Sequence, residues 1–229
     1  MKITVIGNSV ALRVRPPQDH PDNENYSYRL KHYFGQKMEV ENKALGATTI
    51  ANWLKKNDEV FNSLADIYII NIGVVDSTIR EVPLWYYRLA TRKVDNLLTS
   101  VCKALYRGPL SKARRYLSIL RGRKSWISIR KFEKMYDSFL MMLIKETNAR
   151  IITLPINIAN DRIENQLPGS QKNHYRYNEL IKEITAKHNQ IFLDLSDLTS
   201  EEHYPDGVHF NKDGHKVVAD RLIALINEK

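Results

Sequence analysis

Five short apolar runs recur along the chain, and most are followed by a stretch in which apolar residues return every three or four positions. The runs cover residues 2–7, 38–41, 66–72, 150–156 and 190–195. Short apolar runs rich in Ile and Val predict strands. The periodic stretches near 25–33, 48–62, 132–147, 173–188 and 212–227 predict helices. Strands separated by helices call for a parallel sheet, because each parallel crossover needs a dozen or more residues and a helix supplies them. The 66–72 run is almost continuously apolar, as a strand covered on both faces must be. The expected fold is α/β: a three-layer α/β/α, flavodoxin-like parallel sheet of about five strands. A single domain spans residues 1–229, and two or three amphipathic helices over 82–124 form an insertion after the third strand.

In such sheets, ligands bind beyond the carboxyl ends of the strands. The polar motifs collect there. Ser9 follows the first strand in Gly7-Asn8-Ser9, and Gly46 follows the second. Gly73-Val74-Val75-Asp76 follows the third strand, Asn157 the fourth, and Asp206-Gly207-Val208-His209 the fifth. Ser, Asp and His in that chain order supply a hydroxyl nucleophile, a carboxylate to orient the base, and an imidazole base. Ser9, Asp206 and His209 are therefore the candidate catalytic residues.

Composition narrows the alternatives. Cys102 is the only cysteine, which excludes an internal disulfide and a cysteine-rich zinc site. It sits among apolar helix positions, as a buried, inert thiol does. His174, His203 and His215 lack metal-ligand spacing with carboxylates, so neither metal nor cofactor is expected. The start, Met1-Lys2 leading straight into a strand, does not have the shape of a signal peptide. No apolar stretch approaches the roughly 18 residues of a membrane span. The expectation is a cytoplasmic protein, peripheral at most to the inner face of the membrane.

The net charge of +9 is unevenly spread. Residues 85–134 hold fourteen Lys or Arg against Asp95 and Glu133, a net +12, which leaves −3 for the rest. Within this segment Trp85, Leu89, Leu97 or Leu98, Val101 and Leu105 recur at helical spacing. Three readings fit a basic amphipathic segment: a solvated cationic face, contact with an anionic membrane surface, or recognition of an anionic glycan or lipid-linked sugar. Nucleic acid is not an expected partner, because no nucleic-acid-binding motif accompanies the charge.

Taken together, the motifs resemble the SGNH (GDSL-like) hydrolase superfamily, including members from bacterial surface-polysaccharide gene sets. Gly7-Asn8-Ser9 is similar to the family's Gly-Asp-Ser block, and the likeness makes Ser9 the nucleophile. Gly46 in Ala44-Leu45-Gly46-Ala47-Thr48 matches the glycine whose N–H joins that of Ser9 in the oxyanion hole. Asp206 and His209 match the closing Asp-x-x-His, and Tyr177-Asn178 resembles a helix feature of the family. Two positions depart. Asn8 replaces an aspartate, keeping hydrogen-bonding capacity without the charge. Val75 stands where the family's asparagine donates to the oxyanion, and one lost donor typically costs about 10²–10³ in rate. Arg80, Thr78 and Asn157 are the nearby candidates to replace it, and Asn8, Asp76, Arg80 and Asn157 are candidate substrate contacts.

The resemblance implies a serine esterase that removes an acetyl or other small acyl group from a carbohydrate or glycoconjugate. An acyltransferase using the same triad is the nearest alternative. A non-catalytic glycan- or membrane-binding module, favoured by Val75, is the competing class.

Overall fold

The computed structural model describes residues 1–12, 24–56, 58, 60, 62, 64–93 and 96–228. β1 (Lys2–Gly7), β2 (Glu39–Asn42), β3 (Ile67–Asn71), β4 (Arg150–Thr153) and β5 (Ile191–Phe192) form one parallel sheet in the order β2-β1-β3-β4-β5. α1 (Tyr26–Phe34) and α2 (Ile50–Lys55) lie in the connections between the first three strands. Between β3 and β4 come α3 (Val74–Ser77), α4 (Leu84–Ala90), α5 (Leu97–Leu105), α6 (Arg114–Leu120) and α7 (Ile129–Glu146). α8 (Asp161–Gln166) and α9 (Ser170–Lys187) precede β5, and α10 (Lys212–Asn227) follows it.

Helix pairing sets the layers. α1 packs on α10, while α7 packs on both α2 and α9, so helices cover the sheet on two sides. On α7 the buried residues are Phe132, Tyr136, Phe139, Leu140 and Leu143, all fully inaccessible and spaced to form one stripe. Each such side chain contributes roughly 1.5–3 kcal/mol by leaving water. β3 is buried at all five positions, as its continuous apolar run required. The three-layer α/β/α architecture is therefore as the sequence implied.

The differences have local causes. β4 stops at Thr153 rather than 156 because Pro155, lacking an N–H, cannot extend the ladder. β5 keeps two residues of the six expected; it is an edge strand with a partner on one side only. The expected 48–62 helix appears over Ile50–Lys55; Asn57, Glu59 and Phe61 of that expectation lie outside the described residues.

Polar side chains hold the insertion to the domain. Its base is closed by an Ile79–Ser125 bridge. Arg121 Nη1 donates to the carbonyls of Arg80 at 2.6 Å and Val82 at 2.9 Å, and the Trp126 indole N–H donates to Val82 at 3.0 Å. Arg114 Nε meets the buried Glu81 carboxylate at 3.0 Å. Arg115 Nη1 donates to Asn165 O at 2.8 Å. Arg114, Arg115 and Arg121, read from the sequence as part of a cationic face, are thus bonded to protein groups. Cys102 is buried, and its carbonyl accepts from the Tyr86 hydroxyl, which ties α5 to α4.

Removing Arg121 takes the side-chain donor from the Arg80 carbonyl and leaves the Val82 carbonyl with the Trp126 N–H alone. Arg121→Ala should lower Tm by about 2–4 °C, from a loss of about 1 kcal/mol. It should also speed tryptic cleavage within 82–124 ahead of the sheet. Parent-like melting and cleavage would show that the insertion is held without it.

Candidate active site

The sheet order changes direction at β1, so the crevice beyond the carboxyl ends of β1 and β3 is the natural ligand position. Ser9 stands there. Gly7 ends β1 where a Cβ would come within 3.0 Å of both Ala11 Cβ and Asn71 O, so only glycine allows the chain to turn so close to β3. Asn8 is 1% exposed, and its side-chain oxygen accepts the Val10 N–H at 3.0 Å, capping the 3-10 turn Ser9–Ala11. Asn8 was a candidate substrate contact; its position is that of the group shaping the Ser9 turn.

A continuous hydrogen-bonded relay joins the three candidate catalytic residues. Ser9 Oγ lies 2.8 Å from His209 Nε2, and His209 Nδ1 lies 2.8 Å from Asp206 Oδ2. The other Asp206 oxygen accepts the N–H groups of Val208 at 2.8 Å and His209 at 2.7 Å. Burial opposes ionisation of Asp206, but the His209 ring and these two N–H groups outweigh it and hold the carboxyl below the usual range. A carboxylate beside Nδ1 makes that nitrogen the donor, leaving Nε2 to accept the serine proton.

Three side chains from one segment fix the 206–209 loop. Asn157 Nδ2 donates to Val208 O at 2.8 Å, Asn160 Nδ2 to Pro205 O at 3.2 Å, and Arg162 Nη2 to Asp206 O at 2.8 Å. Gly207 takes φ +81°, and a Cβ there would run into the Asn160 amide. Asn157, a candidate substrate contact and replacement donor, therefore spends its amide on the loop carrying His209. Sequence reasoning missed Asn160 and Arg162. Asn160 carries an N-cap signal, since its side-chain oxygen accepts from Ile163 N at the start of α8, but nothing local says that its amide reaches Pro205. Tyr177-Asn178 also acts as scaffold: the Asn178 amide bonds Ile156 N at 2.7 Å and Ile156 O at 2.8 Å.

Gly46 reaches the Ser9 turn through its neighbour, because Leu45 N donates to Gly7 O at 3.0 Å. Open space surrounds the position a Gly46 Cβ would take. Ala47 beside it holds φ +55°, a left-handed conformation costing a non-glycine residue about 1–2 kcal/mol. Ser9 opens its turn, so its N–H has no acceptor within it.

The remaining candidates are placed elsewhere. Val75 is 5% exposed within the hydrophobic core, so the position where the family carries a donor has none. Arg80 lays its guanidinium 4.2 Å from the centre of the Trp126 ring. Thr78 Oγ1 donates to Val74 O and lies 3.0 Å from His174 Nε2. Thr78 and Asn157 are thus engaged elsewhere, whereas Arg80, held over Trp126, keeps a buried Nε with no hydrogen-bond partner among the described residues. Asp76 is fully buried and accepts Ile50 N at 3.0 Å, which rules it out as a surface contact for substrate and makes it a tie between α3 and α2. Burial pushes its carboxyl up to about 8, against the Ile50 N–H. His174 is likewise buried, which lowers its pKa to about 4, and its Nδ1 lies 2.8 Å from Asn157 O. His215 Nδ1 accepts the Tyr26 N–H at 3.2 Å.

A nucleophile-base-acid relay at the switch point of a doubly wound sheet defines the molecule as a serine hydrolase-type α/β protein. Residues 5–217 match the GDSL-like lipase/acylhydrolase family. The chain belongs to that family. No curated protein matches it by sequence. Among solved structures, it is similar to a lipase/acylhydrolase from Enterococcus faecalis, with 17% identity, a TM-score of 0.65, and coverage of 98% of this chain and 94% of that one. It is also similar to an acetylxylan esterase from Geobacillus stearothermophilus, with 16% identity, a TM-score of 0.62, and coverage of 100% and 94%.

Asp76 and Asp206 give opposite pH signatures. The fold holds a proton on Asp76 that the unfolded chain releases near pH 4, so that contribution is complete below about pH 4 and is lost as pH rises toward 8. Asp206 contributes above the ordinary carboxylate range and loses its contribution as pH falls through it. Asp76→Asn keeps an acceptor for Ile50 and removes the titration. Its urea midpoint should exceed the parent's at pH 8, by up to about 5 kcal/mol in stability. At pH 5 the gain should shrink. An equal effect at both pH values would mean that Asp76 is charged in the fold.

Proposed function

We propose that this protein is a serine esterase that removes an acetyl or other small acyl group from a carbohydrate or glycoconjugate. The observation that carries the reading is the unbroken Ser9–His209–Asp206 relay, with both side-chain links at 2.8 Å. His209 Nε2 takes the Ser9 hydroxyl proton as Oγ attacks the acyl carbonyl. The tetrahedral oxyanion then lies against the N–H groups of Ser9 and Gly46. Collapse breaks the ester bond, and His209 returns the proton to the departing sugar oxygen. Water, deprotonated by His209, attacks the acyl-serine and releases the acid.

Family membership supports ester chemistry, and the name of the Geobacillus enzyme supports an acetylated carbohydrate as substrate class. Without the asparagine donor the hole rests on backbone groups, so the rate on simple esters should be modest. A sugar hydroxyl in place of water turns the same acyl-enzyme into an acyl donor for transfer. Val75 favours the competing view, a binding module that has lost turnover.

A fluorophosphonate separates these views. The expected result is one adduct by intact-mass spectrometry, located on Ser9 and suppressed in His209→Ala. Hydrolysis of p-nitrophenyl acetate should fall by at least about 10³-fold in Ser9→Ala. A folded parent with no adduct and no turnover would establish the binding-module reading instead.

A further inference from the structure

The insertion is built inside out. On α5, Thr99 and Cys102 face inward at 1% and 7% exposure, whereas Leu97, Leu98, Val101 and Leu105 are 83%, 61%, 48% and 44% exposed. At about 100° per residue, these four fall within an arc of roughly 100°, a full apolar stripe turned away from the protein. α6 repeats the arrangement: Ser118 is fully buried, while Tyr116, Ile119 and Leu120 are 72%, 41% and 82% exposed. Trp85 on α4 is 67% exposed. A surface helix of a globular domain normally does the reverse. Here the inward contacts of α6 are polar, from Arg114 to Glu81 and from Arg121 to two carbonyls. Leucines placed outward on two successive helices mark a docking face.

Charge decides what docks. Exposed basic side chains flank the stripes: Arg92 and Lys93 before α5, Arg107 and Lys112 after it, Arg123 and Lys124 beyond α6. A symmetric pairing of two copies through this face would bring a +12 segment against another. An anionic bilayer satisfies both features at once, since the acyl boundary receives Leu and Trp while lipid phosphates receive Lys and Arg. Among the described residues no helix is long and apolar enough to cross a membrane, so the segment lies on the surface rather than spanning it.

We infer that the outward faces of α5 and α6 seat this protein in the plane of an anionic membrane. The geometry links that seat to the candidate triad. α6 packs on α8, and the Asn160 cap and Arg162 of that helix hold the loop bearing Asp206 and His209. Docking thus places the lipid surface one helix away from the relay. The inference does not depend on the esterase reading, because it concerns a surface that takes no part in the chemistry.

Co-sedimentation of the full chain with vesicles tests it. One set is phosphatidylcholine alone; the other adds phosphatidylglycerol. The parent should bind the anionic vesicles at low salt at least about tenfold more tightly than the neutral ones, and less so as salt rises. Two variants divide the contributions: Leu97→Ser with Leu98→Ser, Val101→Ser and Leu105→Ser; and Arg92→Glu with Lys93→Glu, Arg107→Glu and Lys112→Glu. Each should lose about tenfold or more in anionic-vesicle binding while keeping the parent's melting temperature. Failure of the parent to bind, or binding that both folded variants retain, overturns the inference. So does a parent dimer in analytical ultracentrifugation that the serine variant converts to monomer, since a second copy would then cover the leucines.

Discussion

All five strands run in the same direction, and that constraint sends every strand-to-helix turn to one edge of the sheet. Residues far apart in the chain then have only one place to meet. The turn after β1 carries Ser9, the loop after β2 carries Gly46, and the return toward α10 brings His209 across 200 positions of sequence to the serine hydroxyl. The edge is held shut by backbone carbonyls used as anchors: Gly7 by Leu45, Val208 by Asn157, Pro205 by Asn160 and Asp206 by Arg162. Amide and guanidinium donors hold such carbonyls in fixed directions, and a relay with 2.8 Å links tolerates little play.

The sequence made the sheet legible because burial on both faces leaves a strong signature. The 66–72 run could hardly be anything but a central strand, and α7 and α10 announced themselves by their spacing. The triad was legible for a different reason: each member sits in a short motif at the end of an element. What stayed hidden were interactions whose partners share no local pattern. Asn157, Asp76 and Arg80 lie at the right edge, so they read as substrate contacts. In the fold they turn toward Val208 O, Ile50 N and the Trp126 ring. Position along a strand fixes the edge on which a residue lies but not the direction of its side chain. The arginines of the insertion misled in the same way. Charge counting placed them on an outward cationic face, whether solvated or bound to an anionic membrane or glycan, whereas three of them reach backbone or carboxylate oxygens.

The neighbourhood of Val75 shows how a site can lose a donor without losing its shape. Asp76 next to it is a buried carboxyl whose proton is retained by desolvation, and it caps the start of α2 from α3. His174, also neutral, links the loop after β4 to Thr78 at the end of α3. These contacts hold the turn at Gly73 after β3 in place whatever occupies position 75. A valine fits because the scaffolding belongs to its neighbours.

The polar seat of α6 has a thermal consequence. A helix held by apolar packing comes loose with a large positive heat-capacity change, so its grip varies strongly with temperature. α6 is seated by guanidinium bonds to carbonyl and carboxylate oxygens around a buried serine. Releasing it exposes mainly polar surface, whose hydration lowers rather than raises the heat capacity. Its attachment is therefore nearly indifferent to cooling, while the core beneath follows the usual curved dependence. The sheet and the seat of the insertion thus answer differently to the same change of temperature.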